Sequence, residues 1–138
     1  MPTLSQQYAR AVYTQIDAIR ERNEQFHKDY GRLCNRFPTL VLHDGLAQTL
    51  GFLTAKAGGN ANTAEGVFLG QLAEILHQPP DHFLDVVINA ALPDYRRLTR
   101  QALAAAIWYK RFAQSVLGID PTGEYAAGDD GAGENADG

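Results

Sequence analysis

The chain has 138 residues, of which 45% are hydrophobic, 20% charged and 9% aromatic, the size and make-up of one ordinary globular domain. Its single cysteine, Cys34, excludes an internal disulfide framework and any cysteine cluster for zinc or iron–sulfur. The net charge of −4 is unevenly placed: residues 1–119 hold all 12 Lys and Arg and ten acids, while residues 120–138 hold six acids and no base.

The apolar spacing of Leu4, Tyr8, Val12, Ile16, Ile19, Phe26 and Tyr30 predicts a first helix from Leu4 to about Tyr30, interrupted at Gly31. Leu33-Cys34 then reads as a short turn of helix. Pro38 suits the first position of a new helix, where its missing N–H costs nothing. From Pro38 to Lys56 the pattern is apolar nearly all round, which predicts a central, buried helix, with Gly45 marking a break or a close packing contact.

Gly58-Gly59-Asn60-Ala61 reads as a loop. Asn62 to Glu65 fits a capping box opening a helix to about His77, which Pro79-Pro80 ends. A short helix follows from Asp81 to about Leu92. Pro93-Asp94 opens the last one, which ends near Leu117 with Gly118 as its stop. No segment alternates as a strand does, and no internal repeat of useful length occurs. The expected fold is all-α, a compact single-domain bundle of about five to six helices over residues 1–119. Leu46, Leu50, Leu53, Phe68, Leu72, Leu103 and Phe112 are its expected core. Residues 120–138, with alanine the largest apolar residue after Tyr125, are expected to form a disordered acidic tail. That tail reads as an inert solubilising end, with nucleic-acid mimicry as the alternative.

No apolar run approaches the roughly 20 residues that span a bilayer, and the N-terminus lacks the charged start and apolar stretch of a signal peptide. A cytoplasmic protein without membrane contact is the expectation. His27, His43, His77 and His82 lack the three- or four-residue spacing that places two ligands on one helical face, so they read as solvated and no metal is expected. Cys34 reads as a small buried apolar residue, and Ser5 and Ser115 have no nucleophile motif around them. The glycines form no phosphate-binding loop or dinucleotide fingerprint. These readings predict a protein that is not an enzyme and has no cofactor.

The cations carry more information. Lys28, Arg32 and Arg36 recur every fourth residue; Arg96, Arg97 and Arg100 fall early in the last helix, where cations oppose the helix dipole, and Lys110-Arg111 fall near its end. They read either as contacts for an anionic partner or as a solvated charged face, and the residues alone leave both open. Trp108 and Tyr109 are two aromatics suited either to stacking on a base or to the core, and one of them is expected in the core.

Two stretches in this order carry a family resemblance. The first is Phe37-Pro38, Gly45-Leu46, Thr49-Leu50, Phe52-Leu53 and Lys56. The second is Tyr95, Thr99, Ala102-Leu103, Trp108, Lys110-Arg111, Ala113 and Leu117-Gly118. Over residues 4–118 the chain resembles the small subunits of Cmr-type (type III-B) CRISPR effector complexes; the acidic tail has no counterpart in that pattern. The resemblance implies an all-helical, non-catalytic structural subunit with no metal or cofactor of its own. Its implied partners are the backbone and large subunits, other copies of itself in a minor filament, and the guide RNA–target RNA duplex. On that implication Lys28, Arg32, Arg36, Lys56, Arg96, Arg97, Arg100, Lys110 and Arg111 are the candidate RNA-binding residues, through phosphate contacts that read no sequence. RNA cleavage would belong to the backbone subunits, and cyclic oligoadenylate synthesis and DNA cleavage to the large subunit. Two other classes compete: a helical protein–protein adaptor with no nucleic-acid contact, and a small helical enzyme or metal carrier.

Overall fold

A computed structural model of the chain describes residues 2–126, which form six α-helices. They are α1 (Leu4–Ile19), α2 (Glu24–Asp44), α3 (Leu46–Ala57), α4 (Ala64–Ile75), α5 (Phe83–Asn89) and α6 (Leu92–Ser115), with a 3-10 turn at Pro80–His82 before α5. Among the described residues no helix is long and apolar enough to cross a membrane.

The first two helices divide differently from the expectation. α1 stops at Ile19, because Asn23 caps a new helix: its Oδ1 accepts the Phe26 N–H at 2.8 Å. α2 then runs unbroken through both Gly31 and Pro38. Pro38 has no N–H to give the Cys34 carbonyl, a local loss that burial of Phe37 and Val41 on the same helix offsets. The true break is Gly45, whose φ of 86° belongs to glycine and separates α2 from α3. Tyr95 closes that corner, its hydroxyl oxygen accepting the Ala47 N–H at 3.1 Å. At α4 the cap lies one residue later than the expected Asn62: Thr63 Oγ1 accepts the Gly66 N–H at 3.0 Å.

One core joins all the helices. α1 and α2 both lie along α6, α3 and α4 pack together, and α5 rests on α3. Phe68 of α4 is its centre, with ring centroids of Phe37 and Tyr109 each 4.9 Å away and Tyr30 at 6.3 Å. Leu46, Leu50, Leu53 and Leu72 surround it and are buried as expected. Leu103 and Phe112 are only half-buried, since α6 turns Ala102, Ala105, Ala106, Tyr109 and Ala113 inward. Small side chains on that face let α1 and α2 approach closely. The all-round burial expected from Pro38 to Lys56 also fails on one side, leaving Leu42 72% and Phe52 46% exposed.

Buried hydroxyls need partners. Tyr30 donates to Gln71 Oε1 and Tyr109 to Gln15 Oε1, while the Gln15 amide donates to the Gln71 carbonyl at 3.1 Å. One polar chain thereby ties α1, α2, α4 and α6.

The segment after α6 corrects the tail boundary expected at Asp120. Ile119 is fully buried and pairs in an antiparallel bridge with Tyr125. Between them the chain reverses around Asp120, whose carboxylate accepts from Thr122 Oγ1 at 2.6 Å and Thr122 N–H at 2.9 Å. Residues 120–126 are a folded strap on α2, because Ile119 and Tyr125 anchor both ends of an otherwise polar turn. The rest of the expected tail, 127–138, lies outside the described residues.

Candidate nucleic-acid interface

Because α2 is continuous, Lys28, Arg32 and Arg36 share one face at four-residue spacing. α3 turns back at Gly45 and brings Lys56 beside them. Arg32, Arg36, Phe52 and Lys56 line a groove of about 280 Å³, together with the carboxylates Asp29 and Glu65. The Lys56 Nζ lies 5.9 Å from the centre of the exposed Phe52 ring. Phe52 is the site residue that sequence reasoning missed; beside Leu50 and Leu53 it reads as one more core residue of a buried helix.

The cations of this stripe differ in their freedom. Lys28 is held by Glu124 at 3.1 Å and Glu24 at 3.2 Å, and these carboxylates, Glu124 first, hold its ammonium above the usual lysine range. Arg32 pairs with Asp29 at 3.3 Å and donates from Nε to the Thr122 carbonyl at 3.4 Å. Arg36 and Lys56 are exposed and have no ion pair among the described residues.

The other candidates stand apart on α6. Arg96, Arg97 and Arg100 are all exposed, and Arg97 pairs with Asp94 at 3.2 Å. α6 begins at Leu92, so Arg96 and Arg97 fall in its second turn, where the helix dipole has largely faded. Their position therefore carries little of the dipole penalty expected for the start of the helix. Lys110 and Arg111 lie a further ~15 Å along the axis. Arg111 covers the Trp108 ring at 5.9 Å. Tyr109 is fully buried, whereas Trp108 is half-buried, donating from Nε1 to Ser5 Oγ at 3.3 Å and stacking on Phe112.

The remaining reactive side chains are placed as follows. Cys34 is fully buried, and burial pushes its thiol far above the ordinary range, against a smaller opposing effect of its hydrogen bond with Tyr30. His43, His77 and His82 are exposed. His27 departs from the solvated expectation: its Nε2 meets the Ile19 carbonyl at 2.9 Å and its Nδ1 the Tyr125 hydroxyl at 2.8 Å. Among the described residues no three of His, Cys, Asp and Glu converge as metal ligands would. A second groove, of about 670 Å³ between α1 and the end of α4, includes Arg10, Glu74 and His77 but none of the candidate cations.

Known proteins share this architecture. Residues 4–116 match the family model described as CRISPR-associated protein (Cas_Cmr5). The chain is 34% identical over 119 residues to the CRISPR system Cmr subunit Cmr5 of Thermus thermophilus, an alignment covering 85% of this chain and 98% of that relative. It also superposes on the crystal structure of a CRISPR-associated Cmr5 family protein from Thermus thermophilus. The TM-score is 0.73 at 30% identity, over 85% of this chain and 99% of the other. With its helical body matched from end to end, the chain belongs to the Cmr5 family of CRISPR-associated proteins.

Proposed function

We propose that this protein is a non-catalytic small structural subunit of a cytoplasmic type III-B (Cmr) CRISPR RNA-targeting complex. In this reading, copies of it stack as a minor filament beside the backbone subunits and help hold the guide–target RNA through phosphate contacts. The relative from Thermus thermophilus is named as a Cmr subunit, which supports the assembly. The observation that carries the RNA contact is the convergence of Arg32, Arg36 and Lys56 on one groove, where Arg36 and Lys56 make no ion pair among the described residues although Asp29 and Glu65 also line it. Fixed cations suffice for this task, since guide–target pairing reads the sequence and the protein needs only to hold the backbone. Phe52 adds an apolar wall against which a ribose or base can rest.

Arg96, Arg97 and Arg100 form the second candidate contact, and Lys110 with Arg111 the third. The competing reading is a protein adaptor without RNA contact, favoured by the exposed Leu42, Ile88 at 59% and Leu92 at 58%. The test is target-RNA affinity in reconstituted complexes carrying Arg36→Glu with Lys56→Glu, or Arg96→Glu with Arg97→Glu and Arg100→Glu. The groove pair weakens binding and flattens its salt dependence while the complex still assembles. Unchanged affinity in both, together with a Lys110/Arg111 reversal, leaves the adaptor.

A further inference from the structure

The strap after α6 lies beyond the residues, 4–116, that match the family. It folds back across the first two cations of the α2 stripe. The Glu124 carboxylate takes Lys28 at 3.1 Å, and the Thr122 carbonyl accepts from Arg32 Nε at 3.4 Å. The Gly123 backbone presses on the same guanidinium so closely that a Cβ there would lie 2.9 Å from Arg32 Cζ. Arg32 also lines the groove with Arg36 and Lys56, so the strap covers one end of the basic surface and leaves the other open.

The Glu124 carboxylate on Lys28 stands where a phosphate oxygen could, and the Thr122 carbonyl occupies an Arg32 N–H that a phosphate oxygen could take instead. We infer that residues 120–126 are an internal competitor for RNA phosphates, holding Lys28 and Arg32 until a polyanion displaces the strap. The inference rests on the reading of the groove as an RNA contact.

The strap is built to yield. Its one ion pair to α2 is open to solvent on the Glu124 side, at 59% side-chain accessibility against 23% for Lys28, and such surface pairs are weak and salt-sensitive. Two backbone hydrogen bonds close the reversal, Asp120 N–H to Glu124 O and Ala126 N–H to Gly118 O, each 2.6 Å. Ile119 stays buried at the hinge end, so release undoes the turn and the Tyr125 contact with His27 while the root stays docked. An anion that binds only the released form has its affinity reduced by the fraction of chains released.

The experiment titrates the full chain with a short single-stranded RNA homopolymer at low and high salt. Four proteins are compared: wild type, Glu124→Gln, the charge-matched Asp129→Asn, and Arg36→Glu with Lys56→Glu. Glu124→Gln should bind about two- to fivefold more tightly than Asp129→Asn at low salt, the range one surface ion pair allows, and the difference should fade with salt. RNA should also speed hydrogen exchange at the Asp120 and Ala126 amides of the wild type. Equal affinities for Glu124→Gln and Asp129→Asn, or unchanged exchange at those amides under saturating RNA, overturn the competitor role alone. RNA binding indifferent to the Arg36/Lys56 reversal, or absent from all four proteins, overturns the groove reading and this inference with it.

Discussion

The side chain of Ile119 lies directly on the bare Cα of Gly31. A Cβ at Gly31 would come within 2.7 Å of the Ile119 Cβ, closer than packed carbon atoms approach. This contact locks the strap's root to the middle of α2. Replacing a mid-helix glycine with alanine ordinarily gains about 0.5–1 kcal/mol. Here the clash costs more, since overpacking a full site costs typically 1–3 kcal/mol. Gly31→Ala should therefore lower the denaturation midpoint, and Gly31→Ala with Ile119→Ala should recover part of the loss. Chemical denaturation of both variants measures this.

Phe68 and Leu50 test the core. Both are fully buried, and Phe68 touches aromatic rings from α2 and α6. Phe68→Ala should cost about 3–5 kcal/mol and Leu50→Ala about 2–5 kcal/mol, as cavity-forming truncations do. Urea unfolding with an unchanged m-value would confirm both as losses of native stability.

Removal of residues 120–138 should cost stability, contrary to what an inert tail implies. The deletion takes away the bridge between Ile119 and Tyr125 and the Tyr125 hydroxyl that meets His27. A fall of about 3–6 °C in Tm is expected for a modest loss in a domain of this size. Deleting 127–138 alone should leave the strap's contacts, and most of that Tm, in place.

Alkaline pH should unfold the protein through three buried groups. Burial raises the acid-dissociation midpoints of Tyr30, Tyr109 and Cys34, so the folded state keeps them protonated. Each contributes stability that is complete below its unfolded value, 9.0 for the thiol and 10.0 for the phenols, and that is lost as pH rises towards the raised folded value. Stability should be level from neutrality to about pH 8.5 and fall beyond it. Cys34→Ala should make the first part of that fall shallower, and native Cys34 should resist thiol reagents that label the unfolded chain.

The isolated protein should bind RNA weakly and without sequence preference, because phosphate contacts carry no base information. For a single strand the logarithmic salt slope should fall by about 0.7 for each phosphate contact removed. Titrations of Arg36→Glu, Lys56→Glu and the Arg96/Arg97/Arg100 reversal over a range of salt would rank these cations by that slope.

The helical class and most elements could be read from apolar spacing, because each helix buries one stripe on a shared core. The loop at Gly58–Ala61 and the stop at Pro79-Pro80 also follow from local chemistry. Gly31 and Pro38 misled for the same reason. Both weaken an isolated helix, yet contacts from Ile119 and the core keep α2 continuous through them. The cations of α2 were visible as a four-residue repeat, but Lys56 joins them only through the reversal at Gly45. The strap was hidden by composition: two anchors, Ile119 and Tyr125, bracket five residues that look like the start of a polar tail.

The pairing of α1 with α6 sets a schedule for synthesis. The stripe of Tyr8, Val12, Ile16 and Ile19 is made well before α6, the principal partner surface of α1. At about 5–20 residues per second, that stripe waits roughly 5–20 s before α6 is complete. Until then it is a greasy, unsheltered helix of the kind chaperones and proteases recognise. A chain cut short before α6 leaves only α4 to shelter that stripe, so an incomplete copy should expose the kind of surface that proteases attack.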